Sequence, residues 1–355
     1  MRNLWILPLL FIHFACVNVA KDEQTQNAFS AVRVETIYED DISIRALMVN
    51  ADHIFFAGNK GKFGYLNTAD HSVAYLGKIT ENGKKPEFRA IGTNGKADFL
   101  LSVANPALLY KVNYFGKRQL VYTEENKNVF YDAMQFWNAN EGIAIGDPVG
   151  DCMSVLITRD GGQTWQKVAC DKLPPKKEGE AAFAASNSNI AVVGEKTWFV
   201  SGGKTSRVYF SPDKGKTWKV YNTPLVQGKS TTGAYSLDFY DEKNGVIFGG
   251  DYTKPEMKTN NKAISKDGGK TWQIVANGEM PGYRSCVKFI PQSNGKELVA
   301  IGFKGIAYSN DFGQTWQSLT KEPFYTLTFM NDFIAYAAGD GRIAKLTFIE
   351  NGLKN

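Results

Sequence analysis

The eight residues TRDGGQTW stand at 158–165, and the chain returns to them three times: SPDKGKTW at 211–218, SKDGGKTW at 265–272 and SNDFGQTW at 309–316. Each copy reads Ser or Thr, any residue, Asp, any residue, Gly, any residue, Thr, Trp. The aspartates Asp160, Asp213, Asp267 and Asp311 are 53, 54 and 44 residues apart. A repeat of ~40–50 residues is the spacing of propeller blades, each a four-stranded antiparallel sheet. Turn chemistry accounts for the phrase. The Asp carboxylate is expected to accept hydrogen bonds from the backbone N–H groups one and two residues on, as in Asx-turns. Gly takes the positive φ that the turn demands, and Ser or Thr add local side-chain bonds. Trp165, Trp218, Trp272 and Trp316 are apolar wedges suited to packing between neighbouring sheets.

The surroundings of each copy repeat as well. An apolar strand ends in Gly, as in GIAIGD (142–147), WFVSGG (198–203), VIFGGD (246–251) and LVAIGF (298–303). An alternating strand follows, the phrase turns the chain, and a strand beginning with Trp leaves it. This register finds three further units with decayed phrases: 54–68, 99–117 and 334–348. The expectation is one all-β domain over 30–350, a seven-bladed β-propeller of four-stranded antiparallel blades. The strand SAVRVETIY (30–38) has no partner in the first unit. It is expected to complete the last sheet and close the ring, which removes exposed edges.

Composition fits this reading. The chain has 355 residues with 43% hydrophobic, 13% aromatic and 34 Gly, a mixture of strand formers and turn formers. A formal net charge of +5 without a basic run gives no reason to expect nucleic acid. Arg2 followed by LWILPLLFIHFACVNVA (4–20) reads as an export signal. Either it is cut after Ala20, leaving 21–29 as a short linker, or it is a lipoprotein signal ending before Cys16. The protein is then periplasmic, an outer-membrane lipoprotein or extracellular, with membrane attachment only through a lipid on Cys16. Cys152 and Cys170 flank the first phrase symmetrically. A hairpin turning there sets them face to face, and an oxidising compartment favours a disulfide. With three His and no CxxC, the usual zinc spacings are absent and no metal or other cofactor is expected.

Candidate site residues come from aligning the first strand of each unit. One position reads Arg45, Arg89, Asp132, Glu180 (or Glu178, if the fourth register slips), Tyr235, Arg284 and Tyr325. A position shared by strands crowding an axis is ordinarily small or apolar, yet here it holds three guanidiniums, two carboxylates and two phenols. The second-strand ends on the same face add Asp147 and Asp251, with Tyr252 following Asp251 and Arg207 just past the Gly pair of the fourth unit. The Asp-phrase turns fall on the opposite face. Converging Arg side chains bind carboxylate, sulfate or phosphate because the guanidinium fork presents paired donors. The alternative is mutual neutralisation by the ring's own acids around a wet channel.

The phrase resembles the Asp-box, or BNR repeat, of sialidases, sortilin-type ectodomains and photosystem II assembly-factor-like propellers. In those families the box is a folding device on the face away from the active site. The ring is similar to a sialidase constellation, which implies Arg45, Arg89 and Arg284 as carboxylate clamp. Tyr235 or Tyr325 would be the nucleophile, Glu180 its activator and Asp132 the general acid. The sialidase Arg-Ile-Pro motif is missing, since Ala90 follows Arg89 and Ala46 follows Arg45. The stretches 130–150, 178–186, 235–255 and 281–285 look like an exported bacterial BNR-propeller family often labelled oxidoreductase. No GxGxxG opens a helix here to house a dinucleotide.

The expected function is therefore non-catalytic binding or assembly support at the channel face. The ligand is an anionic small molecule, an acidic glycan or a partner protein. The alternative is a glycan-active hydrolase or lyase using the same ring, and a third reading is an oxidoreductase.

Overall fold

A computed structural model describes residues 29–351. The expectations for the export signal, Cys16 and residues 21–28 lie outside these residues. Phe29, placed in the linker by the sequence reading, already begins a strand.

The chain is a β-propeller, and the described residues form almost wholly antiparallel strands, with one short 3-10 turn among them at Cys170–Lys172. Four of its sheets have four strands each. In one, for example, Tyr131–Phe136 pairs with Gly142–Gly146, then Ser154–Thr158, then Gln166–Lys167. Burial falls off across each sheet. The second strands, such as Gly142–Gly146 and Leu298–Gly302, are buried along their whole length. They read as continuous apolar runs because other sheets cover both their faces. The outermost strands, such as Val73–Lys78, face water.

Two sheets are larger than expected. Phe29–Val49 is one continuous strand rather than two. Its first part pairs with Asp340–Glu350 and its last part with His53–Gly58, giving a seven-stranded sheet. The pairing with the C-terminal strand is the closure read from SAVRVETIY. A six-stranded sheet arises because Glu180–Ala181 and Gly202–Gly203 add to the edge of Thr232–Phe239. The first strands follow one another around an axis: Phe29–Val49, Phe88–Thr93, Tyr131–Phe136, Ile190–Val193, Thr232–Phe239, Cys286–Phe289 and Thr326–Phe329. The last of them packs back against the first.

One expectation fails at Glu180. The stretch EGEAAF (178–183) is not the axial strand of its unit, and that role falls to Ile190–Val193. Residues 182–189 instead form an irregular segment across the channel. Asn187 accepts from the Met134 amide and donates to the Ile91 carbonyl, both at 3.0 Å. Ser188 bonds Ser236, Ser186 donates to the Ser285 carbonyl, and the Ser186 carbonyl accepts from Thr326. A segment that meets the axial strands of so many sheets lies on the axis itself. Its small and polar residues, Ala-Ala-Ser-Asn-Ser, fit the narrow space and satisfy its backbone.

The Asp-boxes are folding devices in detail. Asp160 Oδ1 accepts from the backbone N–H of Gln163 and Thr164, both at 3.0 Å, and Oδ2 accepts from the Thr164 hydroxyl. These amides lie three and four residues on, not one and two. The carboxylate thus spans the whole loop, while the Thr158 hydroxyl accepts from Gly162 N–H inside it. Asp213, Asp267 and Asp311 repeat the bonds to the Thr four residues later. Gly162, Gly215, Gly269 and Gly313 all have φ of 78–80°. A Cβ on Gly162 would meet the Phe99 ring of the neighbouring sheet at 2.3 Å. Trp165 packs against Phe99 and Phe136, and Trp316 against Phe248, so the wedges do join adjacent sheets. The indole N–H of Trp218, Trp272 and Trp316 donates to the Gly carbonyl three residues back.

The Cys152–Cys170 disulfide is present, with Cα atoms 5.4 Å apart. It closes a loop of 18 residues, for which the chain-entropy model gives about 3 kcal/mol of stabilisation. Cys286 is free and buried.

Candidate functional site

In four first strands the ring residue sits at a register shift. Ile44 pairs with Gly58 and Ala46 with Ala57, which leaves Arg45 opposite neither. Arg89, Asp132 and Tyr235 occupy the same irregular place in their own strands. A bulge bends the strand and re-aims its side chain. Arg45, Arg89 and Tyr235 reach the channel mouth from there, whereas Asp132 stays fully buried.

A cavity of about 460 Å³ opens at this mouth. Arg45, Arg89 and Asp147 line it together with Tyr235, Tyr252 and Tyr325. Ala181 and, from the channel segment, Ala182, Ala184 and Ala185 line it as well, with only short side chains. The Arg45 guanidinium lies over the Tyr325 ring, 4.0 Å from its centroid, and donates to the Ala185 carbonyl at 3.2 Å. Arg89 donates to the Ala184 carbonyl at 3.3 Å and to Glu87 at 2.7 Å. Arg45 has no carboxylate partner among the described residues. Burial, and then the nearby charge of Arg89, pull its pKa below the ordinary guanidinium value. Asp147 accepts from the Ala182 amide at 2.7 Å, and burial pushes its carboxyl up to about 6.

The remaining ring residues go elsewhere. Arg284 does not join the other two guanidiniums. Cys286 pairs with Ile301 as Ala46 pairs with Ala57, so the counterpart of Arg45 is Ser285, one residue later than the sequence alignment set it. Ser285 and Tyr283 line the cavity, whereas Arg284 donates to the carbonyls of Tyr283 and Lys304. Its Nε is buried without a partner among the described residues, and burial lowers its pKa to about 10.

Glu180 and Arg207 form a closed pair away from the cavity. Arg207 Nε donates to Glu180 Oε1 at 2.9 Å, and Glu180 also accepts from Ser201, Tyr209 and the Lys177 amide. Burial works against the Arg207 charge, but Glu180 outweighs it and holds the pKa above the ordinary value. Glu180 is thus committed to Arg207 and does not sit as an activator beside Tyr235. Glu178 pairs with Lys204 at the surface.

Asp132 is fully buried, and neither carboxyl oxygen has a hydrogen-bond partner among the described residues. Burial, with a further push from Asp147, raises its pKa well above the ordinary value. Asp251 is buried too. Burial alone would raise it, but bonds from the Thr253 amide and hydroxyl keep it low. Neither Asp lines the cavity. The Tyr235 hydroxyl donates to the Thr231 carbonyl at 2.8 Å.

The sequence reading missed an aromatic wall. Phe183 stacks on Tyr235 with centroids 4.0 Å apart and planes at 5°. Tyr283 meets the Tyr235 ring edge-on at 4.9 Å, and Phe303 leans on Tyr283 at 5.4 Å. Phe303 directly follows the Gly that ends its second strand, as Asp147 does, a place the sequence reading searched only for polar residues. Phe183 could not be found that way, because the channel segment was read as a strand.

Residues 153–299 match the family model described as Sortilin, neurotensin receptor 3 (Sortilin-Vps10), and residues 307–318 match the BNR/Asp-box repeat. No curated protein sequence matches the chain. Among solved structures it is similar to YCF48 bound to D1 peptide, with 12% identity and a TM-score of 0.64 over 91% of this chain and 98% of that one. It is also similar to the RRP9 WD40 repeats, with 12% identity, a TM-score of 0.61 and coverage of 91% and 100%. A third is U3-55K, with 13% identity, a TM-score of 0.60 and coverage of 90% and 98%. Together these likenesses support a BNR/Vps10-type β-propeller.

Proposed function

We propose that this chain is an exported, seven-bladed propeller that binds an anionic group of a ligand or partner protein at its channel mouth, without catalysis. A count of seven is supported by dividing the long strand Phe29–Val49 between two sheets and setting aside the short additions at 180–181 and 202–203. Export is supported by the disulfide, which forms in oxidising compartments.

The observation that carries the binding reading is Arg45. Its guanidinium is stacked on Tyr325, tied to one carbonyl and free of carboxylates among the described residues, beside a second guanidinium at the cavity wall. A charge in that setting gains most when an anion completes its donors. The similar propeller YCF48 is solved with a D1 peptide, which favours a peptide as the bearer of the anion. The glycan-active alternative lacks its expected base, since Glu180 is committed to Arg207.

Titration calorimetry of the purified protein with acidic sugars and short acidic peptides tests this. The Arg89→Ala variant should bind on the order of ten-fold more weakly than wild type. Equal binding of every anionic ligand that the wild type retains would overturn it.

A further inference from the structure

We infer that the group bound at the channel mouth is an aromatic carboxylate: a flat ring held by the tyrosine wall, with its acid on Arg45 and Arg89. This rests on the anion-binding reading above and goes beyond it by naming the body that carries the charge.

Three features lead there. The first is the wall itself. Phe183, Tyr235, Tyr283 and Phe303 form a chain of ring-to-ring contacts, and Tyr252 extends it at 6.2 Å from Tyr235. Tyr252 is 47% exposed, so one large aromatic is left at the rim with a face to offer. Offset and edge-on ring arrangements of this kind accept a further ring by the same quadrupole preference that sets their own geometry.

The second feature is the small residues. Four alanines at 181, 182, 184 and 185 line the cavity with the wall and the arginines, and their short side chains leave it open. The third is the charge. Arg45, Arg89 and the Asp147 carboxyl line this mouth; Arg89 is paired with Glu87, Arg45 has no carboxylate partner among the described residues, and burial pushes Asp147 up to about 6. A wall of tyrosines alone would also attract a cation. Arg45 and Arg89 beside it select against one and favour an acid. Arg45 is also held flat by Tyr325, which fixes the direction of its remaining donors.

The same chemistry is offered by a free aryl acid and by a chain ending in an aromatic residue. The test therefore uses matched probes on the purified full-length protein, followed by ligand-observed NMR: acetate, phenylacetate, phenylacetamide, N-acetylglycine and N-acetylphenylalanine. Phenylacetate should bind at least ten-fold more tightly than acetate. Tyr252→Ala should remove most of that advantage and leave acetate within two-fold. Arg89→Ala should weaken both acids together and leave phenylacetamide unchanged. N-acetylphenylalanine exceeding phenylacetate supports a chain terminus as the natural source, and the reverse order supports a free acid. Equal binding of acetate and phenylacetate, or an aromatic advantage that survives Tyr252→Ala, overturns the inference while the anion site stands. If neither acid binds, the anion site falls, and the aromatic carboxylate falls with it.

Discussion

The guanidinium of Arg45 lies 4.0 Å over the ring of Tyr325, and it is held there while donating to the carbonyl of Ala185. A planar group on an aromatic face can turn only within its plane, so its free N–H bonds are aimed before any ligand arrives. Lysine keeps the charge and loses both the fork and the stacking. Arg45→Lys should therefore lower affinity for carboxylate ligands by about ten-fold, the loss of one charge-assisted bond. Calorimetry with an acidic peptide measures it, and an unchanged thermal midpoint would show that the channel segment stays in place.

Asp147 shares the cavity with the two arginines, and its carboxyl titrates at about 6. Above that pH it is an anion facing the site where another anion must bind. Below it the group is neutral, and the guanidiniums remain charged throughout. Anion affinity should rise as pH falls through about 6. Asp147→Asn should remove the dependence, as a pH series of binding constants would reveal.

Asp132 predicts a pH dependence of stability. Its folded carboxyl titrates well above the unfolded value of 3.8. Below 3.8 both states hold the proton and nothing is lost. As pH rises further the unfolded chain releases its proton while the folded chain keeps it, so stability falls. Asp132→Asn carries no such proton. The variant should melt above wild type at pH 7, with the gap closing toward pH 4 in a series of thermal melts.

Asp267 tests the role of the boxes. Its carboxylate holds the Lys270 and Thr271 amides and the Thr271 hydroxyl. Asp267→Ala should lower unfolding free energy by about 1–2 kcal/mol, the loss of a capping carboxylate. Urea unfolding measures this. Anion binding should not change, because the box turns the chain at the edge of the sheet opposite the cavity.

The propeller was legible because a local phrase repeats at blade spacing. Asp160 and its three counterparts each satisfy a turn within eight residues, so their chemistry does not depend on the rest of the molecule. The disulfide and the closing strand were legible for related reasons: symmetric flanks around a hairpin, and an apolar alternating segment with no local partner. The site was legible in part. Asp132, whose aligned register also holds, is fully buried, whereas Arg45, Arg89, Tyr235 and Tyr325 line the cavity. Arg284 does not, because the axial strand of its sheet begins one residue later than the aligned letters suggest, and a one-residue shift sends a strand side chain to the other face.

The sequence by itself determined that sheets repeat, how their hairpins turn and which face gathers polar residues, since each of these follows from short-range periodicity and turn chemistry. Only the tertiary structure decided that residues 182–189 leave the sheet pattern and cross the channel. It alone decided that Glu180 belongs to Arg207, and that five aromatic rings line up beside two arginines. Those arrangements depend on contacts between residues scores of positions apart, whose register is fixed by bulges and by closure of the ring, and no local pattern in the chain encodes them.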